Sequence, residues 1–216
     1  MHVIAEFKRC SPGRGDIRPY ASVVELVTAY EEGGASAVSV VTEPTRFRGE
    51  DMDLQLAAAA VGLPIVLKDY VVSPIQVEHA AVLGASAVLL IVECLEYRQL
   101  LDLADVCRRL GLTPLVECHD ERQIATGLQI EDAVLSISLP DPQHMAIDRG
   151  RDRRLLSVVP EDRVVVLETG VEDPEEIYNL QGFADAVLVG TALMCASDPR
   201  GFLTRAVYGD RRGGAA

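Results

Sequence analysis

Gly84-Ala85-Ser86-Ala87-Val88-Leu89-Leu90-Ile91-Val92 is a glycine turn that runs into an unbroken apolar stretch. A short apolar run bounded by turn residues is the pattern of a strand buried on both faces. The phrase occurs earlier as Gly34-Ala35-Ser36-Ala37-Val38. It returns in reduced form as Asp132-Ala133-Val134 and Ala184-Asp185-Ala186-Val187. Working outward from these, strands are predicted at Val3–Lys8, Ala37–Thr42, Pro64–Lys68, Ala87–Val92, Thr113–Glu117, Ala133–Ser138, Arg163–Glu168 and Ala186–Val189. Between them the spacing predicts helices at Ser22–Glu32, Asp53–Val61, Pro74–Leu83, Glu96–Leu110, Asp120–Leu128, Arg151–Val158, Pro174–Leu180 and Pro199–Val207. Continuous apolar strands alternating with amphipathic helices specify a parallel sheet covered by helices. Eight such units point to a single closed α/β barrel of the (β/α)8 type, a TIM barrel. The echo falls on every even strand, as expected where alternate strands supply alternate layers of the interior.

The composition agrees. With 216 residues, 49% hydrophobic and 25% charged, the chain can bury one sizeable core and is not of the disordered class. No linker divides it, so one domain is expected over 1–208, with a disordered tail at 209–216. A net charge of −13 opposes nucleic acid and anionic membranes as partners. No apolar run approaches the roughly 20 residues of a membrane span. The start, Met1-His2-Val3-Ile4, lacks the basic and long apolar regions of a signal peptide. The 5 cysteines form no CxxC pair, which opposes a disulfide framework or a structural zinc. A cytoplasmic, reduced protein is expected, as a monomer or small homo-oligomer.

In such barrels chemistry sits at the carboxyl ends of the strands. Strand one ends Glu6-Phe7-Lys8, strand three Lys68-Asp69-Tyr70, strand five Glu117-Cys118-His119, and strand seven Glu168-Thr169-Gly170. Lys8 and Lys68 are the only lysines among 20 basic residues. Lysine offers a compact ammonium that can release its proton, which arginine cannot. Two lysines and three glutamates thus converge on one mouth, where unpaired burial would cost several kcal/mol per ion. Phosphate is often held by the loops after strands seven and eight. Thr169-Gly170 and Gly190-Thr191-Ala192 occupy those positions, and Ser11-Pro12-Gly13 could add a hydroxyl from the first loop. Cys10, Cys94 and Cys118 read as small buried hydrophobes. His119 could serve as an acid or base, but without an evident partner it reads as a rim histidine, and His2, His79 and His144 carry no signal.

At these residues the chain resembles the indole-3-glycerol phosphate synthase family. The matching stretches are Ile4-Ala5-Glu6-Phe7-Lys8-Arg9-Cys10-Ser11-Pro12, Phe47-Arg48-Gly49, Leu67-Lys68-Asp69-Tyr70, Leu90-Ile91-Val92, Leu115-Val116-Glu117-Cys118-His119-Asp120, Glu168-Thr169-Gly170-Val171 and Leu188-Val189-Gly190-Thr191-Ala192-Leu193-Met194. The resemblance implies a carbon–carbon lyase that closes carboxyphenylamino-deoxyribulose phosphate to an indole in tryptophan biosynthesis, losing carbon dioxide and water. It implies a small sugar-phosphate substrate, no cofactor and no metal. By the same resemblance, Lys68 is the general acid toward the ketone and Glu117 the general base that helps expel the hydroxyl. Lys8 is a second active-site lysine, and Glu6 and Glu168 orient the lysines. Phe47 and Tyr70 enclose the anthranilate ring, and Ser11, Thr169, Gly170, Gly190 and Thr191 form the phosphate cradle.

Three departures accompany the resemblance. The family carries a capping segment before strand one, whereas here the sequence opens on that strand. After strand six the family has Ile-Asn-x-Arg, where ungapped counting places Ser138 at the asparagine and Pro140 at the arginine; proline supplies neither charge nor N–H. Glu93, after strand four, adds a carboxylate where the family usually has none. Two alternatives therefore stand beside the synthase: a recruited homologue with an altered substrate in a specialised-metabolite pathway, and a non-catalytic paralogue that binds a phosphate ligand.

Overall fold

The computed structural model describes residues 1–12, 14–138, 154–168, 170 and 172–209. Eight strands form the barrel: β1 His2–Phe7, β2 Ala37–Val41, β3 Ile65–Lys68, β4 Ala87–Ile91, β5 Thr113–Cys118, β6 Val134–Ser138, β7 Val165–Glu168 and β8 Ala186–Val189. Each pairs in parallel with its neighbours, and β1 closes the barrel against β8 through His2↔Ala186 to Ala5↔Val189. The (β/α)8 expectation holds, with strand ends displaced by no more than a residue or two.

The helices are α1 Val23–Gly33, α2 Asp51–Ala60, α3 Pro74–Val82, α4 Tyr97–Arg109, α5 Glu121–Gly127, α6 at 154–157, α7 Pro174–Tyr178, α8 Thr191–Cys195 and α9 Pro199–Tyr208. Their ends follow local chemistry. Ser22 caps α1 by accepting the Glu25 N–H at 3.3 Å, and Gly34 ends it in the left-handed region at φ 95°. Asp120 caps α5 by accepting the Gln123 N–H at 2.7 Å. Of the helix expected at Arg151–Val158, residues 154–157 are helical and 151–153 lie outside the described residues, as do 210–216 of the expected tail. A two-stranded hairpin, Cys10–Ser11 against Gly15–Asp16, follows β1 and was not anticipated.

Two apolar regions result. The larger fills the space between strands and helices, with Val27, Tyr30, Leu54, Leu100, Leu103 and Leu203 among its buried members. The smaller fills the barrel interior: Ile4, Val66, Leu89, Leu115, Val166 and Leu188, flanked by Ala37, Ala87, Val134 and Ala186. Ala37, Ala87 and Ala186, low on β2, β4 and β8, leave room for branched side chains from the odd strands, the interleaving that closes a barrel without a channel. Each large side chain so buried contributes roughly 1.5–3 kcal/mol. Two residues further along the odd strands the interior changes character.

Candidate active site

Glu6, Lys68, Glu117 and Glu168 are the next inward-facing residues on β1, β3, β5 and β7, above Ile4, Val66, Leu115 and Val166. Lys68 Nζ lies 3.0 Å from Glu6 Oε2 and 2.7 Å from Glu168 Oε2. Lys8 Nζ lies 2.6 Å from Glu6 Oε1. The result is a chain of alternating charge, Lys8–Glu6–Lys68–Glu168. It continues into Ser136, a fully buried hydroxyl on β6 that donates to Glu168 Oε1 at 2.8 Å.

Burial works against the charges of Glu6, Lys68 and Glu168, and their neighbours decide the outcome. For Glu6, burial raises the pKa, but Lys68 and Lys8 outweigh it and hold the carboxyl down at about 2. For Lys68, burial favours the neutral amine, but Glu168, Glu6 and Glu117 outweigh it and raise the pKa above the ordinary lysine value. Glu168 moves the other way: burial and the charges of Glu117 and Glu6 raise it, against the pull of Lys68.

Two cavities open on this chain and share Glu6, Lys8 and Lys68. One, of about 110 Å³, is bordered by Gly170, Glu172, Gly190, Thr191 and Ala192. The other, of about 200 Å³, is bordered by Phe47, Tyr70, Leu89, Ile91 and Glu117. The first is a polar lobe on the strand seven and eight side; the second has aromatic and aliphatic walls. The lysines stand between them.

The loops that shape the lobes have local causes. Buried Glu43 accepts the backbone N–H groups of Thr45 at 3.0 Å, Arg46 at 2.6 Å and Phe47 at 3.0 Å, fixing the turn that presents Phe47. Burial raises the Glu43 pKa, and these hydrogen bonds with Thr45 Oγ1 more than reverse it. Asp69 accepts Thr42 Oγ1 and the Tyr70 N–H, each at 2.7 Å, and so anchors the start of the Tyr70 loop. Gly190 is dictated by its neighbours: a Cβ there would collide with the Glu6 carboxylate and stand 2.9 Å from Lys8 Nζ. Its missing side chain makes room for the charge chain itself.

The structure therefore brings together Lys8, Lys68, Glu6, Glu117, Glu168, Phe47, Tyr70, Gly170, Gly190 and Thr191. Ser11 lines neither cavity; it sits in the hairpin, where its carbonyl accepts the Arg14 N–H at 3.0 Å. Ser138, half-buried and paired in register with Glu168, lines neither cavity as well. Thr169 and Pro140 lie outside the described residues. Glu93 is exposed on the short 3-10 turn Val92–Cys94, clear of the charge chain.

Two expectations are corrected. Cys94 is exposed, because the strand ends at Ile91 and the turn carries it outward, whereas Cys10 and Cys118 are buried as expected. His119 has a partner: its Nε2 lies 2.9 Å from Glu117 Oε1. Ser136 and Glu43 were missed. A serine within a strand reads as ordinary sheet, and Glu43 precedes a turn in which its backbone partners have no sequence signature. Among the described residues no group of three or more His, Cys, Asp or Glu is placed to hold a metal. No described helix is long and apolar enough to cross a membrane.

The described mouth is thus that of a closed (β/α)8 barrel, with lysines paired to carboxylates between a polar lobe and an aromatic lobe. Comparison with known proteins narrows the class. A family model, "Indole-3-glycerol phosphate synthase", matches residues 1–206. The chain belongs to the indole-3-glycerol phosphate synthase family, the carbon–carbon lyases that cyclise carboxyphenylamino-deoxyribulose phosphate with loss of carbon dioxide and water.

Proteins of that name from Parafrankia sp. and Nocardioides sp. are 40% and 42% identical to it over 204 residues. These alignments cover 94% of this chain and 76% and 78% of those proteins. Among solved structures, Mycobacterium tuberculosis tryptophan synthase superposes with a TM-score of 0.73 at 17% identity, covering 98% of this chain and 93% of that one. The 3-hexulose-6-phosphate synthase of Salmonella typhimurium superposes with a TM-score of 0.74 at 13% identity, covering 95% and 96%. These two likenesses show the fold alone.

Proposed function

We propose that this chain closes the indole ring with Lys68 as general acid and Glu117 as general base. The observation that carries this reading is the placement of Lys68 between Glu6 and Glu168, at the junction of the two lobes. A substrate with a phosphate at one end and an aromatic acid at the other would span them, with its ketone at the lysines. Lys68, kept protonated by its carboxylates, donates to the ketone oxygen as the aromatic carbon attacks and carbon dioxide leaves. Glu117 then takes a proton from the cyclised intermediate while a lysine ammonium donates one to the hydroxyl, which leaves as water. Groups placed this way contribute typically about 100- to 10,000-fold each. Lys8 and the backbone of Gly170, Gly190 and Thr191 receive the phosphate, while Phe47 and Tyr70 flank the ring.

The test is steady-state kinetics on carboxyphenylamino-deoxyribulose phosphate, followed by indole fluorescence. A wild-type kcat/KM in the ordinary enzyme range of about 10⁴–10⁸ M⁻¹s⁻¹ is expected. Turnover far below that range, restored by Ser138→Asn with Pro140→Arg, would instead favour the recruited homologue with an altered substrate. No turnover by either protein would favour the non-catalytic paralogue.

A further inference from the structure

We propose that His119 is a positioning residue, held as an imidazolium, that fixes Glu117 for proton transfer. The inference rests on the reading of Glu117 as the base. Glu117 and His119 are two residues apart at the end of β5, so both face the mouth, while Cys118 between them points into the core. His119 Nε2 lies 2.9 Å from Glu117 Oε1, and Nδ1 lies 3.1 Å from Gln123 Oε1. The same Gln123 oxygen accepts the His119 backbone N–H at 2.8 Å, which settles which end of the amide faces the ring. Gln123 is itself fixed, since its own N–H is bound by the Asp120 cap of α5.

Both ring nitrogens therefore face oxygen acceptors. A neutral imidazole carries one N–H and would set a lone pair against an oxygen at its other nitrogen. Only the imidazolium donates at both. The surrounding charges agree: Glu117 comes from the same strand, and Glu93 Oε2, from the turn after β4, stands 3.6 Å from Nδ1. Gln123 from α5 is neutral, Asp120 is occupied as the helix cap, and the Cys94 thiol, exposed but partly desolvated, is raised by that and by Glu93 and Glu117 and stays protonated. Lys68 acts on Glu117 from the barrel side. The hydrogen bond to Glu117, with the remaining acceptors, raises the His119 pKa above its ordinary value against the effect of partial burial. The bond occupies Glu117 Oε1, leaving Oε2 for the reacting proton.

The sign follows. A histidine with a raised pKa keeps its proton, and its bond, below the ordinary histidine value and loses both as pH rises through the raised one. The rate should therefore fall on an alkaline limb. His119→Ala should lower kcat about tenfold to a hundredfold with KM within about twofold, as expected for a charge-assisted bond to a group other than the substrate. His119→Gln can donate from a similar place without titrating, so it should recover most of the rate and lack the limb. Nitrogen-resolved NMR of the wild type should show both His119 ring nitrogens protonated at about pH 7. Wild-type kcat and pH profile in His119→Ala, or one bare ring nitrogen at that pH, would overturn the proposal. Glu117→Gln separates the two readings. If it keeps the wild-type rate, Glu117 is not the base and the inference falls with it; if it loses rate while His119→Ala does not, the role of His119 alone is refuted.

Discussion

Ile4 and Glu6 lie two residues apart on β1 and face the same interior, as do Val66 and Lys68, Leu115 and Glu117, and Val166 and Glu168 on the other odd strands. The lower ring is held by dispersion and exclusion of water, and each member could be exchanged for another side chain of similar volume. The upper ring is held by specific oppositions of charge, and no member can be exchanged without stranding another. Both rings are drawn out of water, the upper one with Lys68 and Glu168 half-buried, yet this stabilises the first and is a cost that the second must offset. The shared backbone positions the two alike, so the difference lies wholly in the side chains. The rings should accordingly fail in different ways.

The largest effect is expected at Lys68. Lys68→Ala should lose about 100- to 10,000-fold in kcat. The fold should persist with a lowered Tm, since two buried carboxylates lose their cation. Lys68→Arg should rescue little, because guanidinium does not release its proton. A Lys68→Arg enzyme at near wild-type rate would break the assignment of acid chemistry to the upper ring.

Leu115→Ala, one step lower on β5, should cost about 2–5 kcal/mol of stability through the cavity it leaves. Thermal unfolding measures this, and the surviving folded protein should keep its pH profile. If Leu115→Ala altered the profile as an upper-ring variant does, the two rings would not be separable.

Within the upper ring, Glu6 and Glu168 should differ in acid. Glu6 is depressed to about 2 from an ordinary 4.5, so its contribution is full above the ordinary value and is lost as pH falls toward about 2. Glu168 is raised, so its contribution is present below the ordinary value and lost as pH rises. Chemical denaturation across the acid range should show Glu6→Gln flattening the acid limb and Glu168→Gln leaving it steep. Matching slopes would mean that the ring shares its protons evenly.

The smallest effect concerns the polar lobe. Phosphate should raise Tm more than chloride does at matched ionic strength, and Thr191→Asp, which sets a carboxylate in the lobe without crowding Glu6, should abolish the difference. An unchanged phosphate effect in that variant would move the anion away from this lobe.

Much of this comparison is legible in the chain itself. An apolar residue followed two positions later by a charge, at the end of a buried strand, marks both rings on β1, β3, β5 and β7. Phe47 and Tyr70 were legible only through family resemblance, since an aromatic in a loop has no periodicity to declare its direction. Ser136 was not legible. Its partner Glu168 lies on the next strand, and only the barrel's register brings the two together. The Glu117–His119 pair has a sequence signal, since spacing of two at a strand end puts both side chains on one face. The resemblance puts Gly190 in the phosphate cradle, and the structure adds that its missing side chain makes room for Glu6 and Lys8.

Barrel closure has a consequence in time. β1 and β8 stand at opposite ends of the sequence, and Lys68 and Glu168 are 100 residues apart. Contacts of such separation are slow to form because the loop entropy must be spent before they reward it. The charged ring thus cannot assemble on any partial product of folding: a chain lacking its last strand offers Glu6 and Lys68 no closed wall. In a refolding experiment helical signal should return first, and catalytic activity should appear only with the final cooperative phase. Activity then serves as a clock for the last event in the making of the molecule.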